Sequence, residues 1–363
     1  NGSLAVTPAA LTITANSTST QYGLGTTLGT TAFTASGLLN NQTIGNVSLS
    51  SAGSVASTNV GAYNITAASA SGGTFTASNY NISYVNGTLT VTPANATVTA
   101  NSANVTYSGL QQSVSGFTVT GLVNGDTIGV LSNVTAVGSG TNAGNYTTTA
   151  TGTAQNYNLT FVNGSLVINP AQLKAVGNKV YDGLITLAGG SLAVTGVNGE
   201  TFAATGSAIM GTKNVQTNQS LASLAGLTLT GVNGSSLSNY QPLSLNQTSV
   251  TVTPLAVTLT TPNATKVYDG NTLLSPTSAQ LSNLSAQLVG GDSVSTATMV
   301  YSDKNAGTGK SVTLSSISLN DGNNGGNYIV SVADSSSGVI TKAPLTVTAV
   351  NDAKFVTQSD NAG

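Results

Sequence analysis

Apolar and polar residues alternate along most of the chain, and prolines interrupt the alternation at intervals. The pattern is clearest in Val85–Ala100, which reads VNGTLTVTPANATVTA. Successive side chains of a strand point to opposite faces, so the runs on both sides of the proline predict half-buried β-strands. The apolar positions change parity there, from Leu89 and Val91 to Ala96 and Val98. Because a one-residue slip turns side chains to the other face, we predict that the chain passes from one hydrophobic core to another at this proline.

The same pattern recurs along the chain together with other landmarks. Five of the eight prolines lie at the recurring change of parity: Pro8, Pro93, Pro170, Pro254 and Pro344. After each opening strand comes a tyrosine just before a glycine, at Tyr22, Tyr107, Tyr181 and Tyr268. A mid-repeat turn follows at 39–41, 123–126, 197–200 and 289–292. A late Asn-Tyr pair comes next, at Tyr80, Tyr157, Tyr240 and Tyr328. Landmarks in one fixed order indicate tandem repeats. We interpret these tyrosines as structural anchors that bury the ring and bond the hydroxyl to backbone; stacking on sugar rings is the alternative.

The prolines give the predicted domain boundaries. Repeat 1 is 9–93, repeat 2 is 94–170, repeat 3 is 171–254 and repeat 4 is 255–344. We expect residues 1–8 to be the last strand of a preceding repeat. Residues 345–363 would begin a fifth, with Leu345 and Val347 in its first strand and Phe355 near the tyrosine position. The chain is thus expected to be a segment of a longer polypeptide.

The predicted fold class is all-β: a tandem array of small, β-sandwich-like domains of about 80 residues that form an extended rod. Proline fixes its own φ angle, and the repeats follow one another without a linker. We therefore expect little rotation between neighbouring repeats.

Charge is nearly absent from the first half of the chain. Asp126 is the single charged side chain among residues 1–173, and the whole chain contains no Arg, His or Cys. A net charge of -2 argues against nucleic-acid binding, and without His or Cys we expect no enzyme. No apolar run is long enough to span a membrane. A surface of Thr, Ser, Asn and Gly is typical of an extracellular protein.

Calcium binding and a covalent Lys-Asn crosslink are two further hypotheses, and each has a simpler structural alternative. Calcium could be bound by carboxylates among Asp182, Asp269, Asp292 and Asp303. Calcium prefers six or more oxygen ligands, and no dense acidic loop is present, so we expect neither calcium nor another cofactor. A Lys-Asn crosslink could involve Lys179, Lys266, Lys304 or Lys310. Repeats 1 and 2 contain no lysine, so solvated lysines are the simpler interpretation.

Asparagines of the acceptor pattern Asn-x-Ser/Thr are unusually frequent in the neutral half. Residues 1–173 contain 21 Asn, of which 13 begin this pattern, and residues 174–363 contain 17 Asn, of which 5 do. With 52 Ser or Thr among the first 173 residues, chance gives about six. Besides Asn1, the candidates are Asn16, Asn41, Asn46, Asn64, Asn81, Asn86, Asn95, Asn104, Asn133, Asn145, Asn158 and Asn163. Attached sugars would make a neutral surface soluble; the alternative is that Asn and Thr two apart share a polar strand face.

These motifs resemble a known group of repeat domains. Repeats 1 and 2, with Tyr-x-Gly and a closing VNGxLxVxP, resemble the MBG domain (YGX type). Repeats 3 and 4, with KVYDG at 179–183 and KVYDGNT at 266–272, resemble the YDG domain. The resemblance covers almost the whole chain. It implies a mostly-β, grasp-like domain in filamentous-haemagglutinin-like surface adhesins that are exported by two-partner secretion, and it implies no catalytic residues.

The sequence therefore predicts a non-enzymatic stalk segment of a large bacterial adhesin, located outside the cell or at its outer-membrane-associated surface. Such a stalk would project outward or polymerise into a fibre or biofilm matrix, with copies of itself or neighbouring repeats as partners. The alternative is a binding module that recognises a surface glycan, matrix or protein through one repeat.

Overall fold

The computed structural model describes residues 1–350 and divides the chain into two compact units. Unit 1 comprises Asn1–Ala171 together with Ser238–Tyr240. Unit 2 comprises Gln172–Leu237 and the chain from Gln241 onward. Both units consist mainly of strands, so the predicted all-β class is confirmed. Within the described range, every strand pairing joins strands of the same repeat.

Repeat 1 is a pair of small sheets with a core between them. Its strands are β1 (Ala9–Ala15), β2 (Thr18–Gln21), β3 (Phe33–Ser36), β4 (Asn46–Ser50), β5 (Gly61–Ser71), β6 (Tyr80–Val85) and β7 (Gly87–Thr92). One sheet has the order β3-β1-β6 and the other β2-β7-β5-β4. Alternate residues of β1, including Leu11 and Ile13, pack with Ile65 of β5 and Leu89 of β7. The core thus uses the apolar face that the alternation predicts.

Repeat 2 has the same arrangement. Its strands are β8 (Ala94–Ala100), β9 (Ala103–Thr106), β10 (Gln112–Ser115), β11 (Phe117–Thr120), β12 (Thr135–Gly140), β13 (Gly144–Thr151), β14 (Tyr157–Val162) and β15 (Gly164–Asn169). The sheets have the orders β11-β8-β14 and β10-β12-β13-β15-β9.

Repeat 3 is built around one long strand, β19, which pairs with four others. Its strands are β16 (Lys174–Val180), β17 (Thr186–Ala188), β18 (Leu192–Thr195), β19 (Thr201–Met210), β20 (Gln216–Gln219), β21 (Leu221–Ser223), β22 (Leu227–Gly231) and β23 (Thr248–Thr253). The main order is β17-β19-β18-β16-β23-β20, and β21 and β22 also pair with β19.

Repeat 4 contains a helix that alternation did not predict. Its elements are β24 (Leu255–Thr260), β25 (Thr265–Val267), β26 (Leu273–Leu274), α1 (Ser278–Ser285), β27 (Ser293–Tyr301), β28 (Gly307–Asn320), β29 (Tyr328–Ala333) and β30 (Ser335–Thr341). The sheets are β24-β29 and β25-β30-β28-β27-β26. Thr277 and Gln280 form a capping box at the start of α1, a helix signal that is present in the sequence. Leu284 of α1 is buried in the core.

Short 3-10 turns connect many of these strands. They span Ala52–Ser54, Ala77–Asn79, Ile128–Leu131, Gly189–Ser191, Val197–Gly199, Leu237–Asn239 and Leu245–Gln247. Residues 1–8 and 342–350 are exposed and form no strand. Their assignment to neighbouring repeats stays a prediction, and Phe355 lies outside the described residues.

Backbone hydrogen bonds explain why a proline marks the predicted boundaries at residues 93, 170 and 254. The amide of the opening tyrosine bonds to the carbonyl just before the proline, as from Tyr22 to Thr92 at 2.9 Å. The residue after the proline bonds to the next late Asn-Tyr strand, as from Ala94 to Asn156 at 3.0 Å. Equivalent pairs join Tyr107 to Asn169 and Tyr181 to Thr253, and join Ala171 to Asn239 and Leu255 to Asn327. Proline has no N–H, and both ladders end beside it, so no bond is lost there.

The predicted passage between two cores at Pro93 is more gradual than the parity change suggested. Val91 before the proline and Ala94 and Ala96 after it all belong to one buried cluster. The chain enters the core of repeat 2 only at Val98. A shared interface therefore separates the two cores, because neighbouring repeats pack directly on each other.

Candidate functional site

Two joints between neighbouring repeats carry most of the distinctive polar chemistry of the molecule. The first joint lies in unit 1, where repeat 1 meets repeat 2, and the second joint lies in unit 2, where repeat 3 meets repeat 4. In the first joint the opening Tyr22 and the late Tyr157 pack edge to face with ring centroids 5.6 Å apart. Such aromatic pairs add about 0.5–1.5 kcal/mol beyond the area that they bury.

One carboxylate holds both tyrosines of the first joint. The hydroxyls of Tyr22 and Tyr157 donate to the same oxygen, Oδ2 of Asp126, at 2.9 and 2.6 Å. Hydroxyl-to-carboxylate bonds of this length are charge-assisted. Asp126 is the lone charged side chain of residues 1–173, so the one charge of this half of the chain serves the contact between its repeats.

An asparagine side chain forms a second bridge across the first joint. The amide of Val60 in repeat 1 donates to Oδ1 of Asn156 in repeat 2 at 3.0 Å. In return, Nδ2 of Asn156 donates to Oδ1 of Asn59 at 2.9 Å. The late Asn therefore bonds to the preceding repeat while the late Tyr next to it bonds to Asp126.

The glycine of the opening Tyr-Gly pair is needed for close approach. Gly23 has a positive φ of 91°, and a Cβ placed on it would lie 2.3 Å from Cγ2 of Val123 in repeat 2. Gly183 has the same role in the second joint, where its Cβ would lie 2.3 Å from Cα of Gly290. A side chain at either position would push the two repeats apart.

The second joint repeats the tyrosine and carboxylate arrangement. Tyr181 and Tyr328 pack edge to face at 5.4 Å, and their hydroxyls donate to Oδ2 of Asp292 at 2.7 and 2.8 Å. The Asp292 side chain is only 3% exposed. Burial of the Tyr328 hydroxyl and its bond to Asp292 raise the pKa of Tyr328 well above its ordinary value, and the same causes raise the pKa of Tyr181.

Lys213 makes the second joint ionic. Its ammonium lies 2.7 Å from Oδ1 of Asp292 and 5.8 Å from the centre of the Tyr181 ring. The bond to Asp292 raises the pKa of Lys213. Repeat 1 has Thr58 at the equivalent place before the turn Asn-Val, so the first joint has no matching lysine.

The asparagine bridge also recurs in the second joint. The Val215 amide donates to Oδ1 of Asn327 at 2.9 Å, and Nδ2 of Asn327 donates to Oδ1 of Asn214 at 3.0 Å. The buried carboxylate of Asp321 orders the loop that leads to Asn327 by accepting the backbone amides of Asn323, Gly325 and Asn327. Burial opposes ionisation of Asp321, but these amide bonds lower its pKa.

Part of the same arrangement occurs a third time inside unit 1. Tyr107 and Tyr240 pack edge to face at 5.5 Å. The Ala143 amide donates to Oδ1 of Asn239 at 2.9 Å, and Nδ2 of Asn239 donates to Oδ1 of Asn142 at 3.1 Å.

The late tyrosine is fixed by its own repeat before it meets a neighbour. In repeat 2 its hydroxyl accepts the amide of Val123, the first residue of the mid-repeat turn, at 3.2 Å. Leu39 and Val289 supply the matching amides in repeats 1 and 4. The acceptor for the hydroxyl lies three residues further on, at Gln42, Asp126 or Asp292. The mid-repeat turn thus places the carboxylate beside the tyrosine.

The tyrosine chemistry gives the first joint a dependence on alkaline pH. Burial and the bond to Asp126 raise the pKa of Tyr157 from 10.0 to about 12. A group whose pKa rises on folding stabilises the folded state below its unfolded pKa, and this stabilisation is lost as pH rises through the folded value. We expect the first joint to stay closed up to about pH 10 and to open between pH 10 and about 12.

Ultraviolet titration measures the ionisation of the tyrosine hydroxyls directly. The difference between wild type and Tyr157→Phe isolates the ionisation of Tyr157, and Asp126→Asn should move that ionisation to lower pH. An unchanged difference titration in Asp126→Asn would contradict the proposed coupling.

The structure places most predicted tyrosine anchors in buried positions, with one departure. Tyr22, Tyr80, Tyr107, Tyr157, Tyr181, Tyr240 and Tyr328 are buried, whereas Tyr268 is 41% exposed. The expected bond between hydroxyl and backbone is present at the late tyrosines, which accept backbone amides. In the two joints the hydroxyls also donate to carboxylates of the mid-repeat turn. The sequence did not predict that Asp126 would bind both tyrosines, or that Asn59, Asn142 and Asn214 would accept the bridging asparagine side chains. The isolation of a single charge within 173 residues was the available signal.

The carboxylates predicted as calcium candidates all form ion pairs with lysines. Each of Asp182, Asp269, Asp292 and Asp303 lies within 2.7 Å of a lysine ammonium. Within residues 1–350, no three acidic, His or Cys side chains group in a way that could hold a metal ion. Nζ of Lys266 also contacts Oδ1 of Asn271 at 3.0 Å and the carbonyl of Leu273 at 2.9 Å. These bonds close the turn after Tyr-Asp-Gly, and the adjacent ammonium lowers the pKa of Asp269.

The predicted glycosylation candidates are all at the surface. Each of the twelve asparagines, Asn16, Asn41, Asn46, Asn64, Asn81, Asn86, Asn95, Asn104, Asn133, Asn145, Asn158 and Asn163, is exposed. The boundary residues Pro93, Pro170 and Pro344 are also exposed, and Pro254 is partly buried. Among the described residues, no helix has the length and apolar character needed to cross a membrane.

Comparison with known proteins agrees with the repeat pattern. The model of the MBG domain (YGX type) matches residues 11–90 and 96–167, and the model of the YDG domain matches residues 166–249 and 253–337. No curated protein matches the chain. A solved structure of Sidekick-1 immunoglobulin domains 1-5 is similar at 11% identity over 92% of this chain and 81% of that chain, but its TM-score of 0.18 is too low to support an argument. The chain is a tandem-repeat protein that consists of two MBG domains of the YGX type followed by two YDG domains.

Proposed function

We propose that this chain is a non-enzymatic stalk segment of a large bacterial adhesin, outside the cell or at its outer-membrane-associated surface. The parent would be a filamentous-haemagglutinin-like protein exported by two-partner secretion. The segment would project a distal part outward or polymerise into a fibre or biofilm matrix, with further repeats or copies of itself as partners. The observation that carries this proposal is the recurrence of one joint design in both units.

The design of the joints supports a mechanical role. Each joint combines a tyrosine pair, a shared carboxylate, an asparagine bridge and a glycine contact, all between consecutive repeats. Hydrogen bonds to a charged group contribute about 1.5–3 kcal/mol each. The tyrosines, the carboxylate and the asparagine fix direction as well as distance, so neighbouring repeats keep one orientation.

Distances between repeats 1 and 2 test this role. The chain contains no cysteine, so Ser48→Cys and Thr135→Cys at exposed positions provide unique sites for a spin-label pair. We expect one narrow distance distribution. Several Gly and Ser residues inserted after Pro93 should broaden it, whereas the same insertion after the exposed Gly29 should not. A broad distribution in the chain without an insertion would refute the stalk role.

Cell labelling tests the proposed location. Antibodies against this segment should bind intact cells of the native source. Labelling that requires lysis would contradict a surface location.

Repeat 4 supports a second candidate function, the binding of a glycan or a protein. It contains the helix α1 and a groove of about 490 Å³ between β28 and β29. The groove is lined by the apolar side chains of Ile317, Leu319, Val330 and Val332 and by Ser316, Ser318, Asn324 and Gly325. A glycan array probed with the full chain should show binding that Val330→Glu abolishes. An array without signal would argue against glycan binding and leave the stalk as the better-supported function.

A further inference from the structure

Most sheet edges in repeats 1 and 2 lack the usual protection; at the β4 edge the Val47 amide bonds to the Thr30 carbonyl at 2.9 Å. The four sheets of these repeats end on the edge strands β2, β3, β4, β6, β9, β10, β11 and β14. An unpaired edge is a template for pairing with another chain, and proteins commonly block it with charged side chains. The one charged side chain of this half, Asp126, is engaged in the first joint. The edges therefore need another form of protection.

Four asparagines of the pattern Asn-x-Ser/Thr lie in these edge strands and a fifth lies two residues before one; we refer to these five as the edge-strand asparagines. Asn46 lies in β4, Asn81 in β6, Asn104 in β9 and Asn158 in β14. The pattern at Asn16 ends on Thr18, the first residue of β2. All five asparagines are exposed, and so are the hydroxyl residues that complete the pattern: Thr18, Ser48, Ser83, Thr106 and Thr160. Each of these side chains is therefore at the surface, at a place where a bulky group would prevent edge pairing. Within the described chain, only Nδ2 of Asn158 among the five donates a hydrogen bond, to Oδ1 of Asn95 at 3.3 Å, and that bond is exposed.

Descent from a common repeat accounts for Asn81 and Asn158, which align with each other, but not for several other asparagines of the pattern. Alignment of repeats 1 and 2 on their shared landmarks places six of them opposite residues that do not begin the pattern. Asn16, Asn41, Asn64, Asn95, Asn104 and Asn145 align with Asn101, Gly125, Thr147, Ala10, Ser19 and Ala62. These six asparagines thus arose separately in each repeat, and the excess of the pattern is confined to the half of the chain without lysine.

We propose that sugars are attached to the edge-strand asparagines Asn16, Asn46, Asn81, Asn104 and Asn158, and that they keep the neutral sheets from pairing edge to edge. The donor would be a sugar activated at its anomeric carbon by phosphate or diphosphate. The asparagine Nδ2 forms a bond to that carbon, the bond from the carbon to the phosphate oxygen breaks with its electron pair leaving on the phosphate, and the amide gives up one proton. The product is a neutral, strongly hydrated group at the sheet edge.

Peptide mapping by mass spectrometry of protein purified from its native cells tests the proposal. We expect hexose-containing additions at these five asparagines. Unmodified asparagine at all five positions would overturn it.

Matched variants in the same cells separate the sugar from the side chain that receives it. Alanine at Thr18, Ser48, Ser83, Thr106 and Thr160 destroys the acceptor pattern but leaves each asparagine in place. The control exchanges Ser and Thr at the same positions and keeps the pattern. We expect the alanine variant to lose the additions and to self-associate in sedimentation experiments, whereas the control stays modified and monomeric. Equal self-association of the two variants would refute the protective role.

Discussion

Replacing Gly183 with alanine is expected to open the second joint. The new Cβ would lie 2.3 Å from Cα of Gly290, which is a backbone atom that cannot rotate away. Overpacking of this kind costs about 1–3 kcal/mol. Because repeats 3 and 4 meet at this glycine pair, we expect the clash to separate the repeats and to leave the fold of each intact.

Gly270→Ala is the matched control for this experiment. Gly270 also has a positive φ, 84° against 75° at Gly183, but no atom lies within 4 Å of its ideal Cβ. Both variants carry the same backbone strain, so their difference measures the contact. Hydrogen exchange of the Val215 amide, which bonds to Asn327 across the joint, should be roughly 30-fold faster in Gly183→Ala than in Gly270→Ala, equivalent to about 2 kcal/mol. Equal exchange in the two variants would show that the glycine contact does not hold the joint.

Asp292→Ala is expected to have the larger effect on the second joint. The substitution leaves the hydroxyls of Tyr181 and Tyr328 and the ammonium of Lys213 without their acceptor. Removing one partner of a buried charged network costs about 3–5 kcal/mol, because the remaining groups stay desolvated. Exchange of the Val215 amide should therefore accelerate by roughly 100-fold or more.

Two variants define the limits of this prediction. Asp303→Ala removes a carboxylate that pairs with Lys310 but is 47% exposed, so it should accelerate exchange of the Val215 amide far less than Asp292→Ala does. Asp292→Asn keeps an acceptor oxygen but loses the charge, and it should fall between wild type and Asp292→Ala. If Asp303→Ala and Asp292→Ala behaved alike, the shared carboxylate would have no special role.

The two joints use one geometry with different electrostatics. Asp126 receives two tyrosine hydroxyls and no lysine, whereas Asp292 receives two hydroxyls and Lys213. A neutral donor leaves net negative charge in the first joint, and the lysine balances it in the second. This difference follows the division into MBG and YDG domains.

Much of the strand architecture could be predicted from the sequence. Alternation is a local property of the backbone, so the burial of Leu11, Ile13 and Leu89 on one face could be read from parity alone. Proline at positions 93, 170 and 254 was also informative, because a residue without N–H fits where two hydrogen-bond ladders end. The helix α1 was missed because its capping box is a weaker signal than the surrounding Ser- and Thr-rich strands.

Local sequence patterns are enough to predict the repeats, their order and the strands within them, since these depend on neighbouring residues and on landmarks that recur. Which repeated residue contacts which partner depends on the tertiary structure. Tyr22 and Asp126 are 104 positions apart, and the recurring Asn-Tyr pair marks Asn156 without showing which residues it bonds to. A joint forms when the surfaces of two folded repeats pack together. The carboxylate, amide and glycine that come into contact are therefore set by that packing and not by their neighbours in the sequence.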